Sequence, residues 1–445
     1  MDTNNEVSRS KEMNSMGMGL ANIDKNCNAI KYFEKSIESD TDYFEPYYNK
    51  VKSLIACDDI AEAIDYLNEI INKDNNQKYA YYLKANILFF HFNNPKEAIE
   101  NYNKGIFLGE RNENIYTNLG RCLFSIGQNE QALNWIEKAE KFNQNRLDIL
   151  FAKGEILTSL EKYEDAINIY DKILVQQVDN RNAYHFKAIL FAQLKYFDEA
   201  LNILQIAEEL TGDSNIIEYD RALIYENKQD IKRALFHIDK ALDYDNKNKV
   251  ALLKKGYLLS MLLEYDRAKQ IFNYINEIDP EDFEGIFNKA NIHMLLKEYN
   301  EAFEIYDFIL NSSQDNNQFS IYSYYLKGLC LKNSGDIDGA EKAYQTAIVF
   351  YSALSLKYSQ DVQLMLLKAN TLRDMGRYLE ANEVYEYVSE LNSNLGDAHL
   401  MRAKNYIYMS ERDKAKEELK SAVIINPAFL EVIKIDDELR DIYDN

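Results

Sequence analysis

Helix breakers are scarce in this sequence: 445 residues carry four prolines and 15 glycines. A proline inside a helix costs about 3 kcal/mol, so their scarcity leaves long stretches free to be helical. Cysteine is equally rare. Cys27, Cys57, Cys122 and Cys330 are scattered, with no paired spacing of the kind that holds zinc, and reduced, inert thiols are the expectation. No stretch approaches the roughly 18 uninterrupted apolar residues of a membrane span. Met1 to Ser10 is polar and lacks the apolar core of a signal peptide. These absences predict no membrane insertion and a cytoplasmic address. The five histidines are dispersed, and neither a Gly-rich phosphate loop nor a nucleophile motif is present. We therefore expect no catalytic residue, no metal and no cofactor.

Positive charge is short as well. Against 73 Asp and Glu stand 51 Lys and Arg, a net charge of −22, which opposes phosphate backbones and argues against a nucleic-acid partner. Many acids have a local role: Glu62, Glu97, Asp165, Glu199, Glu301 and Glu380 directly precede a recurring alanine, in a first helical turn whose dipole favours an anion. The excess that remains is compatible with a basic partner.

What the sequence does have is a period. Ala132, Ala166, Ala200, Ala234, Ala268 and Ala302 are 34 residues apart, and Ala29, Ala63, Ala98, Ala340, Ala381 and Ala415 extend the series to twelve units. Twelve residues before most of these alanines sits a second small residue (Gly17, Gly120, Gly154, Ala188, Ala222, Gly256, Ala290, Gly328, Ala369, Ala403). Four residues after the alanine comes a large apolar side chain such as Phe33, Tyr102, Tyr170 or Phe272, one turn along the same helical face. Two small sites per unit predict two closely crossing helices. Val51 occupies the small site of the second unit and departs from the pattern.

These residues resemble the tetratricopeptide repeat (TPR) family, in which the first helix runs large, small, large and the second carries alanine, aromatic and small residues. The resemblance covers residues 10–429. It implies an all-α, right-handed superhelical solenoid of antiparallel helix pairs. The family's first tryptophan is absent, and lysine replaces its leucine at Lys153, Lys187, Lys255 and Lys327. Proline placement agrees with the resemblance: Pro280 and Pro427 fall where a second helix ends, Pro46 near the start of a first helix, and Pro95 in a turn. Gly127, Gly335 and Gly376 share the phase just after a first helix, where a left-handed cap favours glycine.

Repeats that contact only their neighbours build one continuous core, so no internal domain boundary is expected. Residues 1–9 should be a disordered tail. Residues 430–445, with Val432, Ile435, Leu439 and Ile442 at helical spacing, should form a capping helix. The period grows by four through the polar run 312–318, which reads as a loop. It grows by seven more between the tenth and eleventh units, where the stripe Tyr344, Ala347, Tyr351, Leu354, Tyr358 predicts a second helix two turns longer. A bend or offset over 311–361 would then split the array.

In the resembling family the first helices line the concave face, and their positions 2, 5, 9, 12 and 13 tend to point into it. Position 5 holds a largely aromatic ladder that includes Tyr48, Tyr82, Phe151, His185, Tyr219, Phe287 and Tyr325. Position 9 adds Asn86, Arg121, Tyr257, Asn291 and Asn370. Aromatic anchors beside side-chain amides suit a peptide. The same rings could instead pack between adjacent first helices. Members that clamp a terminal carboxylate place lysine at position 5, which no unit here has, so no carboxylate clamp is expected. The resemblance thus implies a non-catalytic scaffold or adaptor that binds a protein or peptide segment in the groove. The alternative is a chaperone-like or secretion-escort protein holding partly unfolded clients.

Overall fold

The small residues of the repeat explain the helix crossings. A Cβ added to Gly17, Gly120, Gly154, Gly256 or Gly328 would lie 2.4–2.8 Å from Phe33, Ile136, Tyr170, Phe272 or Tyr344, respectively. Each pair is the small residue of a first (A) helix and the large residue of the second (B) helix in the same repeat. Glycine lets the large B-helix side chain, a ring in four of the five pairs, lie against the A-helix backbone. Where alanine or Val51 takes that site, it is fully or almost fully buried.

The computed structural model describes residues 2–312, 318–392 and 394–444, with side chains from Val7 onward. Among them are 26 α-helices and no strand, and the chain is an all-α solenoid of antiparallel helix pairs. It divides into two units, Met1–Gln229 and Asp230–Asn445. The first unit begins with α1 (Asp2–Ala21) and α2 (Asn26–Ser39), α3 (Glu45–Ala56) and α4 (Ile60–Lys73), and α5 (Lys78–Phe90) and α6 (Pro95–Phe107). It continues with α7 (Glu113–Ser125) and α8 (Asn129–Glu140), α9 (Leu147–Ser159) and α10 (Tyr163–Gln176), and α11 (Arg181–Gln193) and α12 (Phe197–Thr211), then ends after α13 (Ser214–Asn227). The second unit holds α14 (Ile231–Tyr244), α15 (Lys249–Met261) and α16 (Tyr265–Ile278), and α17 (Phe283–Leu295) and α18 (Tyr299–Ser312). There follow α19 (Gln318–Ser334) and α20 (Ile337–Lys357), α21 (Val362–Asp374) and α22 (Tyr378–Leu391), α23 (Gly396–Tyr408) and α24 (Arg412–Ile425), and the short α25 (Phe429–Ile435) and α26 (Asp437–Asp444).

Backbone geometry counts the repeats independently of side chains. After every A helix one residue has positive φ: the nine non-glycine residues Asp24, Asp58, Asn93, Glu161, Lys195, Gln229, Leu263, Lys297 and Ser410, and the three glycines Gly127, Gly335 and Gly376. Each lets the chain reverse into the B helix.

Helix α20 is 21 residues long against 14 in α18 and α22, which accommodates the seven-residue insertion as two added turns. Tyr344, Ala347, Tyr351 and Leu354 are buried along it, whereas Tyr358 is exposed at its end. Of the expected loop at 312–318, Ser312 and Gln318 are helical and 313–317 lie outside the described residues. The unit boundary falls between the two helices of the seventh repeat, inside the array of residues 10–429 and outside the offset expected over 311–361.

The structure differs from the sequence reading at both ends. The expected tail over 1–9 belongs from Asp2 onward to α1. The Ser10 hydroxyl donates to the Ser36 carbonyl at 2.8 Å, and Ser36 Oγ donates back to the Ser10 carbonyl at 2.6 Å. With α1 anchored there, each further N-terminal residue adds a hydrogen bond without a new nucleation cost. At the other end the expected single helix is broken at Asp436, whose Oδ1 accepts from the N–H groups of Glu438 and Leu439 at 3.2 Å each. An aspartate that caps one helix cannot also continue the preceding one. The break rotates the chain: Ile433, Leu439 and Ile442 are buried against Leu400, Ala403 and Leu419, while Val432 and Ile435 face solvent.

A third difference is covalent. Cys27 in α2 and Cys57 at the end of α3 form a disulfide with Cα atoms 5.9 Å apart, against the expectation of reduced thiols. Thirty residues of separation hide a proximity that antiparallel packing creates. Cys122 and Cys330 are buried free thiols, pushed up to about 12 by burial. No described helix is long and apolar enough to cross a membrane.

Candidate functional site

Within each unit, A helices touch the A helix of the next repeat, as in α5 with α7 and α7 with α9, or α17 with α19 and α19 with α21. In each unit, therefore, A helices line up side by side as a layer. Its side chains at positions 5 and 9 are the residues singled out from the sequence.

In the first unit the position-5 rings are half-buried. Tyr48 meets Tyr79 edge-on at 4.9 Å between ring centres, and its hydroxyl donates to Gln77 Oε1 at 2.6 Å. Burial, with Asp74, Tyr79 and Glu110 nearby, pushes that hydroxyl up to about 12. Tyr82 lies 6.3 Å from Tyr102 of the same repeat. Phe151 lies 6.2 Å from Tyr170 of its own repeat and 6.4 Å from Phe186 of the next A helix. His185 Nδ1 is 2.8 Å from Oδ1 of the buried Asp220, two repeats' A helices thus sharing a polar contact. Burial raises the Tyr219 hydroxyl above its ordinary value, with Glu226 and Asp220 adding to it. Arg121 is exposed, 5.8 Å above the Phe90 ring.

In the second unit Phe287 packs 5.8 Å from Tyr306 in its own repeat and 5.5 Å from Phe319 in the next. Tyr325 stacks on Tyr344 at 6.1 Å, and its hydroxyl donates to Asp374 Oδ2 at 2.7 Å. Tyr257 is 51% exposed, the most open ring of the set. The ladder thus touches the B-helix tyrosine behind it and the A helix beside it.

The asparagines at position 9 have work inside the fold. Asn86 Oδ1 accepts from the buried Tyr102 hydroxyl at 2.6 Å and from Asn118 Nδ2 at 2.9 Å. Asn291 Oδ1 accepts from Tyr306 at 2.6 Å, and Asn370 Oδ1 accepts from Tyr385. A buried hydroxyl left without a partner costs about 1–3 kcal/mol, so these amides satisfy the B-helix tyrosine. Their carbonyl oxygens are committed, and a ligand would meet their N–H groups.

At positions 12 and 13 of the A helices the last repeats differ from the others. Position 12 is basic at Lys332 and Arg373, and position 13 holds Asp374 and Tyr408. With Tyr378, Met401 and Lys404 these residues line a cleft of about 310 Å³. The charged residues at equivalent helix positions were the available signal.

Comparison with known proteins accords with this architecture. The family model described as tetratricopeptide repeat matches residues 28–87 and 321–348, and that of anaphase-promoting complex, cyclosome, subunit 3 matches 106–173. A TPR repeat-containing protein of Methanocaldococcus jannaschii is 21% identical over 82% of this chain and 66% of its own length. The BBSome complex member BBS4 homolog of Drosophila melanogaster is 22% identical over 62% of this chain and 65% of its own. The chain therefore spans just under two thirds of the length of these curated relatives. Among solved structures, yeast Tom70 aligns over 97% of this chain and 95% of its own at 17% identity, with a TM-score of 0.49.

Proposed function

Because the chain is a tetratricopeptide-repeat protein, we propose that it is a non-catalytic scaffold that binds a segment of another protein along its A-helix layer. The observation that carries this reading is the row of half-buried aromatic side chains at position 5. Rings fixed behind by Tyr102, Tyr170 or Tyr306 and open in front are rigid anchors, and rigid aromatic anchors dominate protein interfaces. Relatives whose names place them in the BBSome or the anaphase-promoting complex support a role within a larger assembly. The acid excess adds long-range attraction for a basic segment. The cytoplasmic address stands on absences alone, whereas the Cys27–Cys57 bond counts towards an oxidising compartment.

Crosslinking mass spectrometry from native cells tests the reading. One stoichiometric partner with crosslinks on A-helix side chains such as Lys52 and Lys404 is the expected result. A broad set of weakly held clients would favour a chaperone-like role, and crosslinks confined to B helices would sink the groove.

A further inference from the structure

The cleft in the second unit is out of character with the rest of the chain. A protein of net charge −22 gathers Lys332, Arg373 and Lys404 around a single recess of about 310 Å³. The cleft's one lining carboxylate, Asp374, is already shared: Oδ2 accepts the Tyr325 hydroxyl at 2.7 Å, and Oδ1 lies 3.4 Å from Lys332 and 3.5 Å from Arg373. Lys404 has its nearest carboxylate, Asp436, at 3.7 Å.

Arg373 is the group that most needs another partner. Its side chain is 21% exposed. Nη1 faces the Met401 sulfur at 2.8 Å, a weak acceptor, and among the described residues the nearest carboxylate oxygen to Nη2 is Asp374 Oδ1 at 3.5 Å. A guanidinium carries five N–H donors in a planar fork suited to two oxygens of one oxyanion. One wall of the cleft includes Tyr378 and Tyr408, whose rings stack at 5.3 Å.

We propose that this cleft binds an oxyanion, carboxylate or phosphate monoester, carried on a side chain of a partner's polypeptide. Arg373 supplies the bidentate donor, and Lys332 and Lys404 supply charge from the two flanking repeats. The three basic residues stand at positions 12, 12 and 9 of successive A helices, so the site is not the terminal-carboxylate clamp that places lysine at position 5. The proposal rests on the reading that this layer binds protein segments, and it adds that one contact is anionic even though the bulk field favours cations.

Titration calorimetry at low ionic strength tests it with the full chain and blocked tripeptides, which carry no terminal charge. Acetyl-Ala-phosphoserine-Ala-amide should bind at least tenfold more tightly than acetyl-Ala-Ser-Ala-amide. The Lys332→Gln/Lys404→Gln chain should lose that advantage with its circular dichroism melt unchanged, since both side chains are partly exposed. Should that chain fail to fold, Arg373→Lys, which keeps the charge and removes the fork, should weaken binding severalfold. Binding of acetyl-Ala-Glu-Ala-amide as tight as the phosphopeptide identifies acidic side chains as the source, and selective phosphopeptide binding identifies a phosphorylated partner. Equal binding of the serine peptide, or no effect of either variant, overturns the site. Equal affinity for inorganic phosphate alone overturns the polypeptide source. In either case the scaffold reading stands or falls on its own crosslinking result.

Discussion

The lysine before the small residue, which departs from the family's leucine, has a partner in the neighbouring repeat. Lys187 Nζ reaches Asp171 at 2.6 Å, Lys255 reaches Asp239 at 2.7 Å, Lys50 reaches Glu34 at 2.9 Å and Lys327 reaches Asp307. In these four the acid stands five residues after the repeat alanine of the preceding B helix, whereas Lys153 pairs at 2.7 Å with Glu140, eight residues after Ala132. The stem lies along the apolar crossing and the charge ties one repeat to the next, so a substitution that looks disruptive at the level of one helix makes sense between two. Another residue-scale feature runs the other way. Leu263 is held at φ 60° and is 71% exposed, a left-handed conformation that costs a branched side chain about 1–2 kcal/mol. Leu263→Gly should raise stability by about 0.5–1 kcal/mol, the relieved strain exceeding the added unfolded-state entropy. Urea denaturation with an unchanged slope checks it. A loss of stability would mean that the Leu263 side chain contributes packing its exposure does not show.

At the scale of elements, the helix pairs and their crossings were legible because small and large residues sit at fixed offsets. The lengthened α20 was legible because its stripe never breaks phase. The ends were not. The polarity of residues 2–9 reveals nothing of the Ser10–Ser36 contact that anchors α1. Asp436 reads equally well as the polar face of one helix or the cap between two, and only packing decides. The site was half legible: the position-5 rings are where the repeat register puts them, but whether Asn86 serves a ligand or Tyr102 depends on a hydroxyl in another helix. Nor does spacing reveal the Cys27–Cys57 bond. Since that bond closes about 30 residues, loop-closure entropy gives it about 3–4 kcal/mol of stabilisation. Reduction should therefore speed amide exchange in α1 to α4 and leave α7 to α12 unchanged, as hydrogen exchange with and without reductant would show. Identical exchange in both states would mean that the staple adds nothing to the native packing.

On the scale of the whole molecule, the question is how far a local disturbance travels. Each repeat buries its core against its immediate neighbours, so stability is approximately a sum of repeat and nearest-neighbour terms. Gly154 is a suitable place to disturb it. A Cβ there would sit 2.7 Å from Tyr170 Cζ, and Tyr170 is fully buried, with Phe186 stacked on its ring at 5.3 Å. The ring has nowhere to retreat without moving the next A helix. Gly154→Leu should then cost about 1–3 kcal/mol through overpacking, partly offset by about 0.8 kcal/mol of improved helix propensity. Amide exchange should accelerate in residues 113–211, the repeats on either side of the crossing, while residues 249–425 of the second unit keep their wild-type rates. Uniform acceleration along all twelve repeats would show a single cooperative block in place of a nearest-neighbour array. No acceleration anywhere would show that the crossing at Gly154 tolerates a side chain and that glycine is not needed there for packing.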